Sequence, residues 1–291
     1  MPRPPASDAT RKSATPVTVQ RIGGRIGSKA DFVATEEPLQ ILAGGPGQDS
    51  KPVTVTMRTP GHDFELAVGF LWSEGVLSSP EDVYEVRYCE VPPDEPQRYN
   101  VVSVRARRPL QLRPRTTVTT AACGICGTAS LDDLAQSCAV VPFGLHVDAD
   151  LLLALPDRLR STQRTFATTG GLHAAGLFAV DGTLRTSRED VGRHNAVDKV
   201  IGRAVLDRAV PLEASILCIS GRASFEIVQK AAMAGVAVVV AVSAPSSLAV
   251  DAARRLGVTL VGFVRDGTGN IYSHGDRVTG AAAVEIRPRF S

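Results

Sequence analysis

The chain has 291 residues, 44% of them hydrophobic and 21% charged, with a formal net charge of +2. That length allows one large domain or two smaller ones with ample material for a core, and the composition is that of an ordinary globular protein. The near-neutral balance argues against a strongly basic nucleic-acid binder, although local basic stretches could still hold a phosphorylated ligand.

Residues 1–29 are rich in Pro, Ser, Thr, Arg and Gly and contain no long apolar run. They are predicted to be a disordered tail rather than a secretory signal. The most apolar later stretch, residues 236–242, is too short to cross a bilayer, so a soluble, cytoplasmic protein without membrane attachment is expected. Residues 53–57 alternate as a strand does, and Thr59-Pro60-Gly61 breaks the pattern. Asp63 is placed to cap a helix that runs through Leu71 and ends near Gly75. Residues 91–96 are loop material. Residues 100–105 and 115–119 alternate again, and the second of these leads into Cys123-Gly124-Ile125-Cys126.

The texture changes near Leu151. Thr168-Thr169-Gly170-Gly171 leads to the apolar run 174–180, and Asp190 is predicted to open a helix through Val191, Ala196, Val197, Val200, Ile201 and Val205. Residues 215–219 form a predicted buried strand. Ser220-Gly221-Arg222-Ala223-Ser224 then leads into a helix over 225–234. A second apolar run covers 236–242, Ser246 is placed to cap a helix to Leu256, and the last core strand covers 258–264. Alternating buried strands and helices indicate an α/β layer structure with a largely parallel sheet; the earlier part has α+β character. No internal repeat is present. The predicted division is a tail over 1–29, an N-terminal α+β domain over 30–140 ending in the cysteine loop, and an α/β domain over 141–291.

The five cysteines, Cys89, Cys123, Cys126, Cys138 and Cys218, are odd in number and irregularly spaced. That is no secreted disulfide framework, and in a reducing compartment they are expected to be thiols. Glycines and small residues surround Cys123 and Cys126, and a helix is predicted soon after, through Leu131, Leu134 and Ala135. A thiolate near a helix start is a better nucleophile. Four roles fit such a pair. Two cysteines can be buried by chance. A zinc site needs four ligands, but there is no second pair of this spacing and the five histidines are scattered. A thioredoxin-like pair belongs just after a strand early in a small βαβ unit. In group transfer, one cysteine carries a sulfur atom as a persulfide and the second assists. Spacing alone leaves these open.

Longer blocks are more specific. They include Glu36-Glu37-Pro38-Leu39, Met57-Arg58-Thr59-Pro60-Gly61 and Leu66-Ala67-Val68-Gly69-Phe70-Leu71-Trp72-Ser73-Glu74-Gly75. Cys123-Gly124-Ile125-Cys126-Gly127, Thr169-Gly170-Gly171-Leu172-His173-Ala174-Ala175 and Glu189-Asp190-Val191-Gly192-Arg193-His194-Asn195-Ala196-Val197-Asp198-Lys199 follow. Ser220-Gly221-Arg222, Ser243-Ala244-Pro245-Ser246-Ser247-Leu248-Ala249 and Gly262-Phe263-Val264-Arg265 complete the set. With these blocks in this order, the chain resembles the formate dehydrogenase accessory sulfurtransferase (FdhD/NarQ) family.

The resemblance implies a sulfur carrier acting as a sulfurtransferase between a cysteine desulfurase and the molybdenum bis(molybdopterin guanine dinucleotide) cofactor of formate dehydrogenase. That cofactor, in which tungsten can replace molybdenum, would be a bound substrate, with no metal held permanently. By residue match Cys123 is the persulfide carrier and Cys126 the assisting thiol. The resemblance also implies a homodimer and a three-layer, cytidine-deaminase-like α/β domain. It places cofactor contacts at Phe263, Val264, Arg265, Asp266, Gly267 and Thr268. Asp266 would accept hydrogen bonds from guanine, and Phe263 would stack on it. Judged without the resemblance, the same stretch is a strand end followed by an Asp-Gly turn.

Two anionic pyrophosphates would call for backbone N–H groups and arginines. Ser220-Gly221-Arg222 is such a candidate, and equally a helix cap with a surface arginine. His173 and His194 could carry protons or meet phosphate, but partly buried structural histidines are common. The acidic pair Glu189-Asp190 could simply complement a helix dipole. A zinc-deaminase reading fails, since that chemistry needs H-x-E and then P-C-x-x-C. Here His173 precedes Ala174 and Ala175, lies after the cysteine pair, and Ala122 stands where the proline should be. Two further alternatives are a non-catalytic molybdenum-cofactor chaperone and a thiol-disulfide oxidoreductase.

Overall fold

In the computed structural model the described residues are 13–22, 28–89, 100–112, 140–142 and 144–280. The first half begins with a hairpin of β1 (Ala14–Gln20) and β2 (Ser28–Ala34). Residues 14–20 and 28–29 of the tail expected over 1–29 are therefore strand, while residues 1–12 and 23–27 lie outside the described residues. The β-branched run Thr15, Val17, Thr18, Val19 favours a strand, and it finds Val33, Asp31, Ala30 and Lys29 opposite it.

A four-stranded sheet follows. Its order is β4 (Lys51–Arg58), β3 (Glu37–Gly44), β6 (Val101–Ala106), β5 (Val83–Tyr88), with β3 and β6 parallel and the outer pairs antiparallel. Leu39, Ile41 and Ala43 alternate inward from β3, and Val102 and Val104 from β6. Their face is covered by α1 (Asp63–Ser73), in which every residue but Phe64 is buried. A helix apolar on all sides must be covered on all sides. Asp63 does not cap this helix; left-handed His62 does, and the Asp63 carboxylate instead takes two hydrogen bonds from buried Arg58, at 2.9 and 2.8 Å. Gly75, at φ +68°, closes the helix as expected.

The second half is built on a six-stranded sheet of order β13 (Thr268–Ser273), β12 (Thr259–Arg265), β11 (Val238–Ala241), β10 (Ser215–Ile219), β8 (His173–Ala179), β9 (Leu184–Asp190). The α/β class is as predicted. The sheet is mixed rather than largely parallel, because only β10, β11 and β12 are paired in parallel. These three are joined by α5 (Phe225–Met233) and α6 (Ser247–Leu256), and a crossover helix returns each strand in the same direction. The outer pairs β8–β9 and β12–β13 are hairpins, which can only be antiparallel. α4 (Arg193–Leu206) packs on β8 and β9 and touches α5, while α2 (Ala149–Arg160) packs on the opposite face, with Leu159 close to Gly176. A short helix, α3 (Arg164–Thr169), and the small pair β7 (Val147–Asp148) with β14 (Val278–Thr279) complete the described fold.

The two halves meet where α1 crosses α4. Gly69 faces Asp198 and Gly202, and Gly202 faces Glu65 and Gly69. A Cβ built on Gly69 would lie 2.8 Å from the Gly202 nitrogen, and one on Gly202 would lie 2.7 Å from the Gly69 nitrogen. Helix backbone therefore rests directly on helix backbone. A buried ion pair flanks the crossing: the Lys230 ammonium donates to both oxygens of Asp198 at 2.7 and 2.8 Å, and Ser73 donates to Asp198 at 2.8 Å. The indole of Trp72 donates to the Met233 carbonyl at 2.9 Å. Among the described residues no helix is long and apolar enough to cross a membrane.

Candidate functional site

Ligands of α/β sheets collect at the carboxyl ends of the parallel strands. Here that edge is assembled from the loops after β10, β11 and β12. The Val242 N–H donates to Ile219 O, Ala223 N–H to Ala244 O, Ser246 N–H to Ala223 O and Phe263 N–H to Ser243 O. The Ser220-Gly221-Arg222 turn, the Ser243-Ala244-Pro245 turn and Phe263 are thus tied side by side. Because β8 runs against β10 and β9 turns back to run with it, His173 at the start of β8 and Asp190 at the end of β9 are paired at this same edge. α4, α5 and α6 all begin here, so three positive helix ends point the same way.

Asp190 is the anchor. It is fully buried and pairs with buried Lys199 at 2.7 Å. It also accepts from the N–H of Gly192 at 2.8 Å, the Asn195 side chain at 3.0 Å and the Thr59 N–H at 3.2 Å. Lys199 reaches the Thr59 carbonyl at 2.9 Å, and the Val191 N–H donates to Thr59 Oγ1 at 3.1 Å. The Met57-Arg58-Thr59 block of the first half is thereby fixed to the Glu189–Lys199 block of the second. The sequence places a helix start at Asp190, but Asp190 ends β9 and α4 starts at Arg193. Glu189 does serve a helix end, that of α3, by accepting from the N–H groups of Thr165 and Phe166 at 3.0 and 2.7 Å.

A second link, Glu65 to Arg188, is bidentate at 2.5 and 2.7 Å. Burial would raise the Glu65 carboxyl, but hydrogen bonds from Arg188 and His62 outweigh it and hold the group lowered to about 2. A carboxyl depressed in the folded state adds stability above its unfolded value and loses it as pH falls toward the folded one. Denaturant unfolding of wild type and Glu65→Gln should differ by about 2–3 kcal/mol at pH 6 and by less than half of that at pH 3. A gap that stays constant over this range would refute the coupling.

The stretch 263–268 is divided by the fold. Phe263 has φ +54° at an irregularity of the β12–β13 pairing, its ring is half-buried, and its N–H is tied to the Ser243 turn. Val264 is fully buried in the core and is exposed to no ligand in this conformation. Arg265 lies over the Phe263 ring at 5.9 Å from the centroid. Asp266 and Gly267, at φ +51° and +69°, form a two-residue hairpin turn between the paired Arg265 and Thr268. Thr268 Oγ1 donates to the Arg265 carbonyl at 3.1 Å. The Asp-Gly turn read from the residues alone is present, and it projects from the same edge as the other loops.

His173 stands beside Gly221: a Cβ on Gly221 would lie 3.2 Å from His173 Nδ1 and 3.9 Å from Arg193 Cβ. Burial, then the charge of Arg193 and that of Arg222, push the imidazole below the usual histidine range, against an opposing pull from Asp190. His194 Nε2 lies 3.0 Å from both Ser224 Oγ and Glu226 Oε2. Burial raises the Glu226 carboxyl. Both oxygens meet the same ring nitrogen, so this is not the relay of a nucleophile, base and orienting acid, which needs the two on opposite nitrogens. Arg193 was not singled out by sequence reasoning. The usable signal was an arginine, rather than an acid, at the first position of a helix.

Cys123 and Cys126 lie outside the described residues. The chain leaves the described part after Leu112 and returns at Val140. Gln48 fixes the first end by exchanging hydrogen bonds with Leu110 at 2.8 and 3.1 Å. Arg277 fixes the second through the Pro142 carbonyl at 3.0 Å. Cys218, by contrast, is sealed inside β10, where burial raises its thiol and leaves it inert.

The sequence profile of the FdhD/NarQ family matches residues 34–279. Among curated proteins, the Sulfur carrier protein FdhD of Nocardia farcinica is 51% identical over 261 residues, covering 88% of this chain and 91% of the relative. That of Streptomyces coelicolor is 50% identical over 270 residues, covering 90% and 94%. The Sulfurisphaera tokodaii protein of the same name is 44% identical over 248 residues, covering 85% and 92%. A crystal structure from Desulfotalea psychrophila, described as a formate dehydrogenase accessory protein, superposes with a TM-score of 0.74 at 24% identity over 92% of this chain and all of that one, a match of fold.

Proposed function

The chain belongs to the FdhD/NarQ family, and from that premise we propose that it is a sulfur carrier for the maturation of formate dehydrogenase. The Cys123 thiolate attacks the terminal sulfur of a cysteine desulfurase persulfide. The desulfurase sulfur–sulfur bond breaks, its thiolate leaves, and Cys123 becomes the persulfide. For release, the Cys126 thiolate attacks Cys123 Sγ. The two cysteines are oxidised to a disulfide and the carried sulfur departs as hydrosulfide, reduced to the state of a sulfido ligand on the metal. The receiving molybdenum bis(molybdopterin guanine dinucleotide) is substrate, bound with a guanine against Phe263 and the Asp266-Gly267 turn. The protein works in the cytoplasm as a homodimer.

The observation that carries this reading is identity near 50% over about nine-tenths of the chain to proteins named as sulfur carriers. The half-buried Phe263 beside the exposed Arg265 and Asp266 at the strand ends supports the location of the cofactor. Intact-protein mass spectrometry after incubation with a cysteine desulfurase and cysteine tests it. Wild type should gain the mass of sulfur, lose it to reductant, and Cys123→Ala should gain none. A wild type that gains nothing from a competent desulfurase, or a Cys123→Ala that gains as much, defeats the carrier reading.

A further inference from the structure

The four-stranded sheet of the first half ends in β5, whose outer edge is paired with nothing among the described residues. A free edge offers a row of backbone N–H and C=O groups to a further strand. Val83, Val86 and Tyr88 of β5 are half-buried, whereas Tyr84, Glu85 and Arg87 are exposed. The pairing with β6 shifts register between Val83 and Glu85, which leaves Tyr84 out of the ladder and 64% exposed. Beside it a cavity of about 310 Å³ is lined by Pro46, Tyr84, Arg105, Ala106 and Arg107. Arg107 is exposed and lies over the Tyr84 ring, 5.0 Å from the centroid. Arg105 donates only to neutral acceptors: the Gln48 carbonyl at 3.0 Å, Ser50 Oγ at 3.3 Å and the Gly45 carbonyl at 3.4 Å. Glu85 stands opposite Arg105 in the register, yet its ion pair is with Arg87, at 3.7 Å. Among the described residues no carboxylate comes within ion-pair distance of Arg105 or Arg107. Gln48, whose carbonyl Arg105 holds, also fixes Leu110, so the cavity adjoins the point where the chain departs toward Cys123.

We propose that the free edge of β5 and the cavity at Tyr84, Arg105 and Arg107 form a docking site for an extended, acidic segment of a partner protein. The segment adds to the sheet as a fifth strand: its backbone pairs with β5, and its alternate side chains fall on one face. Carboxylates on that face meet two guanidinium groups that no acid of this chain neutralises. The ring of Tyr84, already stacked with Arg107, supplies an apolar wall for the residues between them. A single-stranded nucleic acid would also find an aromatic ring and arginines here. It cannot pair with a strand edge, however, and the chain as a whole carries a net charge of only +2. The docking site goes beyond the sulfur-carrier reading and does not rest on it.

The test is fluorescence anisotropy of a labelled peptide of alternating Glu and Val, titrated with the full chain in about 0.15 M salt. A Lys-Val peptide and a single-stranded thymidine oligonucleotide serve as the contrasting probes. Wild type should bind the Glu-Val peptide and not its Lys-Val counterpart. Arg107→Glu should bind it at least about tenfold more weakly, and Tyr84→Ala several-fold more weakly. Both residues are exposed, so the two variants should keep the wild-type unfolding curve. Hydrogen–deuterium exchange over residues 83–88 should slow when the peptide is bound. No binding by wild type, equal binding by Arg107→Glu, or equal binding of the Lys-Val peptide overturns the site. Binding without slowed exchange over 83–88 overturns the added strand. An oligonucleotide that displaces the peptide better than unlabelled peptide does overturns the assignment to a protein partner.

Discussion

Gly202→Ala is expected to lower the unfolding free energy by at least about 3 kcal/mol, the upper range for an overpacked core. A single methyl at this position has nowhere to go. It would press on the Glu65 carbonyl and the Gly69 nitrogen, both parts of a helix backbone that cannot rotate away as a side chain can. Relief requires α1 and α4 to move apart, which opens a seam between two helices that are buried along most of their length. In an exposed helix the same change would help by about 1 kcal/mol, so the sign itself is diagnostic. Gly69→Ala should act through the same seam, and the double variant should cost clearly less than the sum of the two, because the helices need separate only once. Urea unfolding followed by circular dichroism measures all three. A loss below about 1 kcal/mol for Gly202→Ala would mean that the two helices are not held this closely.

The second large effect is expected at Asp190. Asp190→Ala removes the only carboxylate within ion-pair distance of the buried Lys199 ammonium among the described residues. Breaking a buried pair from one side costs about 3–5 kcal/mol, since the remaining charge stays out of water without its partner. The loss also frees the N–H groups of Gly192 and Thr59 and the amide of Asn195, so the start of α4 should loosen. Removing both charges separates the ionic part from the rest. Asp190→Ala combined with Lys199→Met should recover part of the lost stability, as uncharged replacements of buried pairs commonly do. Equal stability of the single and double variants would show that the lone ammonium is not the source of the cost.

Much of this architecture is legible in the sequence because it follows local rules. The strands β10, β11 and β12 announce themselves as short apolar runs, and Ser246 caps α6 as expected, accepting from the Ala249 N–H at 3.2 Å. The Asp266-Gly267 turn is also where the residues put it. What escaped depends on distant partners. Asp190 looks like a helix opener by its composition; its real role is fixed by Lys199, nine residues later, and by Thr59, 131 residues earlier. The mixed sheet follows from two tight hairpins, which a pattern of alternating strands and helices does not distinguish from crossovers. Gly69 and Gly202 sit inside helices, where each alone reads as a weak spot, and only their meeting explains them. Arg193 and Arg222 likewise become a cluster only once β9 and β10 have been brought to one edge by β8.

The crossing of α1 with α4 has a consequence for biosynthesis. Gly202 follows Gly69 by 133 positions in the chain. At translation rates of roughly 5–20 residues per second, α1 leaves the ribosome on the order of 7–27 s before the helix that covers it exists. During that interval a segment as apolar as Leu66-Ala67-Val68-Gly69-Phe70-Leu71-Trp72 has the four-stranded sheet on one side and nothing on the other. The nascent first half is therefore a natural client for chaperones that hold exposed apolar helices, and a chain truncated before Arg193 should be captured by them rather than released as a folded fragment.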